Sequence, residues 1–160
     1  MATTLEKPIR LPEPPADRDV TPEELLANPH WGRCELNNGK VKLMSPAGHL
    51  YGRIGARLLI KVGQYVEVRG LGVVYTAETG FRFPDGKTVR APDMMFVSAA
   101  RIPADMPRQS YLPFAPDFAI EVVSWDDSFK DVTEKAESFV AAGVKLVLSL
   151  EGISRQLPPF

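Results

Sequence analysis

"VRAPDMMFV" at residues 89–97 has the composition of a strand bound for a protein core, except that Asp93 stands in its middle. A carboxylate buried without a partner costs several kcal/mol or gives up its charge. The same anomaly recurs in "FAIEVVSW", residues 118–125, where Glu121 lies between Ile120 and Val122 with no turn residue beside it. If these two strands are neighbours, both carboxylates project to one edge of a sheet. Oxygen ligands so placed suit a hard cation, Mg²⁺ or Mn²⁺, whose charge would offset the burial, and the main-chain carbonyl after Glu121 adds a further ligand. Taken alone, Asp93 reads equally as a turn residue one position ahead of its strand, because it follows Pro92.

The rest of the chain limits what such a site could serve. The 160 residues, 44% hydrophobic, suffice for one domain with a real core. Nineteen basic and twenty acidic residues leave a formal charge of −1, so no global basic field points to a polyanion. Any nucleic acid would have to meet a local patch. The single cysteine, Cys34, excludes a disulfide framework within the chain and reads as a small core residue. No apolar run has the length of a membrane span and no signal peptide opens the chain, so the expectation is a cytoplasmic protein.

Outward from the two acidic strands, residues 1–20 are rich in proline and charge and read as a flexible N-terminal arm, with the folded domain over residues 21–160. Thr21, Pro22 and Glu24 form a capping-box pattern for a short helix. Asn37-Asn38-Gly39 supplies the residue types of a tight hairpin between two short strands. From His49 to Arg69 the apolar positions Leu50, Ile54, Leu58, Val62 and Tyr65 recur at helical spacing. "GVVYTAETGFRFP" reads as a strand joined to residues 88–97 by the turn at Pro84-Asp85-Gly86. A helix over about 129–142, closed by Gly143, leads into a buried strand, "VKLVLSL", parallel to the one carrying Glu121. The order predicts an α/β (α+β) fold: a central mixed sheet flanked by helices.

With "ELNNGKVKLMSPAGH", "RAPDMMFV", "PDFAIEVVS" and "EKAESFVAAGVKLVL" in this order, residues 31–148 resemble the Uma-two family of restriction-endonuclease-like proteins, a branch of the PD-(D/E)XK nuclease superfamily. The resemblance implies that Asp93 and Glu121 are the metal-binding acids. The superfamily's usual lysine, two residues past the glutamate, is replaced by Val123, and Lys135 on the following helix falls where family members carry theirs. By itself Lys135 also reads as a solvated helix residue paired with Glu134 or Glu137. Glu35 and Glu78 match acidic positions that recur in the family; Glu78 would add a ligand through water, neutralise Arg82, or guard a strand edge, and Glu35 reads as structural. His49 is a weak general-base candidate or a surface group, since the family's histidine falls two positions later, at Tyr51. Phe139 stands where the family often has tyrosine. The ending "LSLEGISRQLPPF" looks shortened against the family's further strand pair, and it would leave a sheet edge for a second subunit to cover.

Arg53, Arg57 and Lys61, four residues apart on the main helix, form one stripe. With Arg82, Lys87 and Arg90 they could contact phosphates without reading bases, or form an ordinary solvated face. The expectation is a Mg²⁺- or Mn²⁺-dependent endonuclease that hydrolyses DNA, homodimeric, using Asp93, Glu121 and Lys135. The alternatives are a nuclease fold that binds nucleic acid or protein without turnover, and a truncated structural homodimer.

Overall fold

Thr21 caps the first helix, α1 (Pro22–Ala27), in the way its Thr-Pro-x-Glu pattern predicts: its hydroxyl oxygen accepts the Glu24 N–H at 3.1 Å. Replacing Thr21 by alanine leaves that N–H without its cap and is expected to cost about 1 kcal/mol, read as a lower denaturant midpoint at unchanged slope. The chain is folded before this point. Val20 is buried and its N–H bonds the Gly39 carbonyl at 2.8 Å. The computed structural model describes residues 12–123 and 127–151; residues 1–11 of that arm and the C-terminal residues 152–160 lie outside them.

After a 3₁₀ turn at Pro29–Trp31 comes the hairpin of β1 (Cys34–Asn37) and β2 (Lys40–Leu43). Its two-residue turn puts Asn38 at φ 47° and Gly39 at φ 80°, both in the left-handed region that the sequence was read to need. Then follow α2 (His49–Val68), β3 (Gly72–Thr76), β4 (Phe81–Arg82), β5 (Val89–Arg90), β6 (Met94–Ser98), β7 (Phe118–Val123), α3 (Phe129–Ala141) and β8 (Leu146–Glu151). Gly143, at φ 103°, ends α3 as expected.

The fold is mixed α/β, with two four-stranded sheets and flanking helices. One sheet has the order β2-β1-β5-β4, and the other β3-β6-β7-β8. The second is the mixed sheet: β6 is antiparallel to β3 and β7, and β7 is parallel to β8. Two strands of the sequence reading divide between the sheets. "GVVYTAETGFRFP" breaks into β3 and β4, and residues 89–97 break into β5 and β6, with Ala91-Pro92-Asp93 crossing between sheets. Proline has no N–H to donate to a ladder, which suits the crossing.

The main core lies between the mixed sheet and α3, where Phe81, Met95, Val97, Ala119 and Phe139 are all fully buried. A smaller core of Val20, Leu25, Leu36 and Val89 sits under α1 and the hairpin. The long helix packs less deeply than its periodicity implies: Val66 is buried, whereas Tyr65 is 55% exposed. β8 is an edge strand rather than a buried one, with Leu146 and Leu148 exposed.

Candidate active site

The antiparallel register of β6 and β7 pairs Met94 with Ile120. Continued by one residue, it sets Asp93 opposite Glu121. On the other side of β7, Glu121 is paired with Ser149 of β8. The two acids that looked anomalous in sequence are thus brought together by strand pairing.

Each has a different environment. Asp93 sits just ahead of β6 and is partly buried. Its Oδ2 accepts the Val122 N–H at 2.8 Å and the hydroxyl of Tyr51, from the first turn of α2. Burial and the hydrogen bond to Asp93 push the Tyr51 phenol well above its ordinary pKa, so it stays a donor. Glu121 is 7% exposed. Burial pushes its carboxyl up to about 8; the Lys135 ammonium opposes this, and the nearby Asp93 and Glu35 charges reinforce it. Lys135 reaches across from α3, with Nζ 2.8 Å from Glu121 Oε2. It does so because Phe139, one turn on, anchors the buried side of that helix. Glu121 Oε1 is buried without a hydrogen-bond partner among the described residues.

These side chains line a cavity of about 780 Å³ walled by the hairpin and α3. Lys42 on β2 is close enough to Asp131 on α3 to contribute to holding that carboxyl down, after its bonds to Ser128. Glu35 is 3% exposed and also lines the cavity. Its Oε2 lies 3.2 Å from Arg90 Nε and its Oε1 accepts the Ala91 N–H at 3.0 Å, which pins the crossing between the sheets.

Of the remaining candidates, only Arg90 lines this cavity. Glu78 is mostly exposed and meets Arg33 at 3.7 Å; Arg82 meets Glu23 at 2.6 Å, so the expected Glu78–Arg82 neutralisation does not form. His49 is exposed at the start of α2 and does not line the cavity. Of the stripe on α2, Arg57 and Lys61 are exposed and Arg53 is partly buried, and all three stand outside the cavity lining. Arg90 points inward to Glu35 and lies over the Phe139 ring at 5.8 Å. Lys87 is exposed next to the Pro84 turn. Cys34 is partly buried, its thiol facing the Trp31 carbonyl at 3.6 Å. Sequence reading mentioned Tyr51 only as a departure from a family histidine. Its contact with Asp93 spans 42 residues of chain, beyond any local spacing signal.

A divalent cation fits this set. An orphaned, buried carboxylate oxygen, on a side chain that feels the charge of a second carboxylate, is where a cation would remove an electrostatic cost. Among the described residues no three His, Cys, Asp or Glu side chains form a ready-made ligand group. Mg²⁺ is commonly held by one or two carboxylates, completed by water and substrate phosphate.

Comparison with known proteins agrees with this architecture. A family model described as "Uma2: Putative restriction endonuclease" matches residues 22–160. Among solved structures, the chain resembles one described as "a putative nuclease belonging to DUF820" from Anabaena variabilis ATCC 29413. The TM-score is 0.65 at 19% identity, over 82% of this chain and 74% of that one, a likeness of fold. No curated protein matches the chain.

Proposed function

The chain belongs to the Uma2 family, and from that premise we propose that it is a divalent-metal-dependent endonuclease hydrolysing DNA phosphodiester bonds. The observation that carries this reading is the unpartnered Glu121 Oε1, on a residue that lines one cavity with Asp93. Asp93 and Glu121 would hold Mg²⁺ or Mn²⁺, with the carbonyl of Val122 as a further ligand. The ion would polarise the phosphate and lower the pKa of a bound water.

The protein's own groups do the positioning. The Val122 N–H and Tyr51 hydroxyl both bond Asp93 Oδ2, which fixes the carboxylate's rotation and leaves Oδ1 to face a ligand. Lys135 orients Glu121 and would supply a positive charge for the negative charge that builds on the phosphoryl oxygens in the pentacoordinate transition state. Glu35 holds Arg90 and the Ala91 N–H, so the segment leading to Asp93 is held from both sheets. We further propose that a second copy covers the β8 edge, where Leu146 and Leu148 are 53% and 41% exposed, and that the protein works in the cytoplasm. No helix among the described residues is long and apolar enough to cross a membrane.

The deciding experiment is calorimetric titration of Mn²⁺ into the wild type and into Asp93→Asn and Glu121→Gln, followed by incubation of each with plasmid DNA. Saturable binding and cleavage by the wild type alone are expected. Cation binding that is the same in all three folded proteins would remove the basis of the mechanism. DNA binding that weakens with salt, with no cleavage at any metal concentration, would favour the reading of a binding module.

A further inference from the structure

Resting on the nuclease reading, we propose that the substrate is taken as unpaired nucleotides: the phosphate enters the carboxylate cavity and a neighbouring base enters a second chamber behind the Glu35–Arg90 pair. This second cavity, of about 210 Å³, is of the order of one nucleobase. Arg33, Glu35, Met44, Arg90 and Ala91 line both cavities and form the wall between them.

The chamber has the surfaces a base needs. Leu25, Val89 and Tyr111 are apolar or aromatic. The backbone at Gly80, which also lines the chamber, packs close to the Tyr111 ring: a side chain there would meet Val89 Cγ1 at 2.7 Å and the ring at 2.9 Å. The Asn28 amide nitrogen donates to the Glu24 carbonyl at 2.7 Å, and its amide oxygen remains to accept from a base. A planar π-face against a ring, with a few hydrogen-bonding groups at its edge, is how an extruded or unpaired base is held.

The charges argue in the same direction. Of the cations lining the cavities, Arg33 lies 3.7 Å from Glu78, Arg90 3.2 Å from Glu35 and Lys135 2.8 Å from Glu121, and Lys42 stands close enough to Asp131 to lower that carboxyl's pKa. A duplex is gripped by a set of uncompensated cations that displace its counterions, whereas an unpaired strand is gripped largely by stacking. Glu121 is also recessed, at 7% exposure. A flexible single strand can bend a phosphate down to it.

The test compares Mn²⁺-dependent cleavage of one labelled sequence presented as a single strand, as a perfect duplex and as a duplex with an unpaired bubble. A parallel set of single strands carries one abasic position each. We expect the single strand and the bubble to be cut at least about tenfold faster than the duplex, and one abasic position to slow cleavage by a similar factor. Equal rates on strand and duplex, or indifference to every abasic position, would overturn the proposal while leaving the nuclease reading intact. If no substrate is cut, anisotropy with the same oligonucleotides in Ca²⁺ decides the question. Tighter binding of the single strand, weakened by one abasic position, upholds the chamber; equal or absent binding refutes it.

Discussion

Glu121→Gln is expected to make the metal-free protein more stable and at the same time abolish its stabilisation by Mn²⁺. The folded carboxyl has its pKa raised to about 8 from an ordinary value of 4.5. A raised folded pKa means that the native state holds a proton the unfolded chain has released, so this group lowers stability as pH rises from about 4.5 to about 8. Above that window the full cost is present. Glutamine keeps an oxygen to accept from Lys135 and has nothing to ionise. The gain over wild type should therefore be small at pH 5 and grow to a few kcal/mol at pH 8, a rise of several degrees in Tm for a chain of this size. Thermal unfolding in EDTA across that range reads it directly. With saturating Mn²⁺ the order should invert, because only the wild type gains from a bound ion. Cleavage by the variant should fall by at least about 100-fold, the scale of losing a group that acts on the transition state. A lower Tm for the variant in EDTA at pH 8 would show that the carboxylate is held as a structural ion-pair member.

The second large effect lies at the opposite end of β7. Asp117 is nearly buried and faces Arg101 at 3.0 Å and Lys145 at 2.6 Å, and it accepts the Ser98 N–H at 2.9 Å. Burial alone would raise its pKa, but Lys145, the Ser98 N–H and Arg101 together hold it well below the usual carboxylate range. It ties the end of β6, the start of β7 and the approach to β8. Asp117→Ala should cost about 3 kcal/mol at pH 7, since it removes the acceptor of the Ser98 N–H and the carboxylate that Arg101 and Lys145 share, leaving Arg101 only its bond to the Ala115 carbonyl. The pH dependence has the opposite sign to that of Glu121. A depressed folded pKa gives stability that is present above the unfolded value near 4 and lost as pH falls below it. The wild type should therefore lose stability on acidification through pH 4, and Asp117→Asn should flatten that limb. Urea midpoints at pH 7 and pH 3 check both statements, and an unchanged midpoint at pH 7 would refute the assignment.

Much of this was legible in the chain because the signals were local. Thr21 and Glu24 stand three residues apart, and Asn38 and Gly39 fall where a two-residue hairpin turn needs positive φ. The acids Asp93 and Glu121 could be singled out because a charged residue within an apolar run breaks a strong rule. What could not be read was which sheet a strand joins. Residues 72–84 read as one strand, yet the chain leaves the mixed sheet after Thr76 and enters the other at Phe81. Likewise "VKLVLSL" has the same composition whether its outer edge is covered or open, and it proved to be an edge strand. Tyr65 and Val66 differ by 100° around α2, and only the neighbouring strands decide which of them turns inward. Nor could the partner of Glu35 be read, because its hydrogen bond to the Ala91 N–H crosses 56 residues.

The pairing of β6 with β7 also makes the spacing of the carboxylates indifferent to the length of the chain between them. Asp93 precedes β6 and Glu121 lies toward the end of β7, whereas the connection leaves and re-enters at the other end of both strands, past Ser98 and before Phe118. Its exposed apex at Pro107, Arg108 and Gln109 could therefore accept an inserted peptide or lose a residue without moving either acid. One residue added within β7 ahead of Glu121 would be a different event, turning that side chain to the opposite face of the sheet. Descendants of this chain are thus free to vary in length at one end of the strand pair and confined to a fixed count at the other.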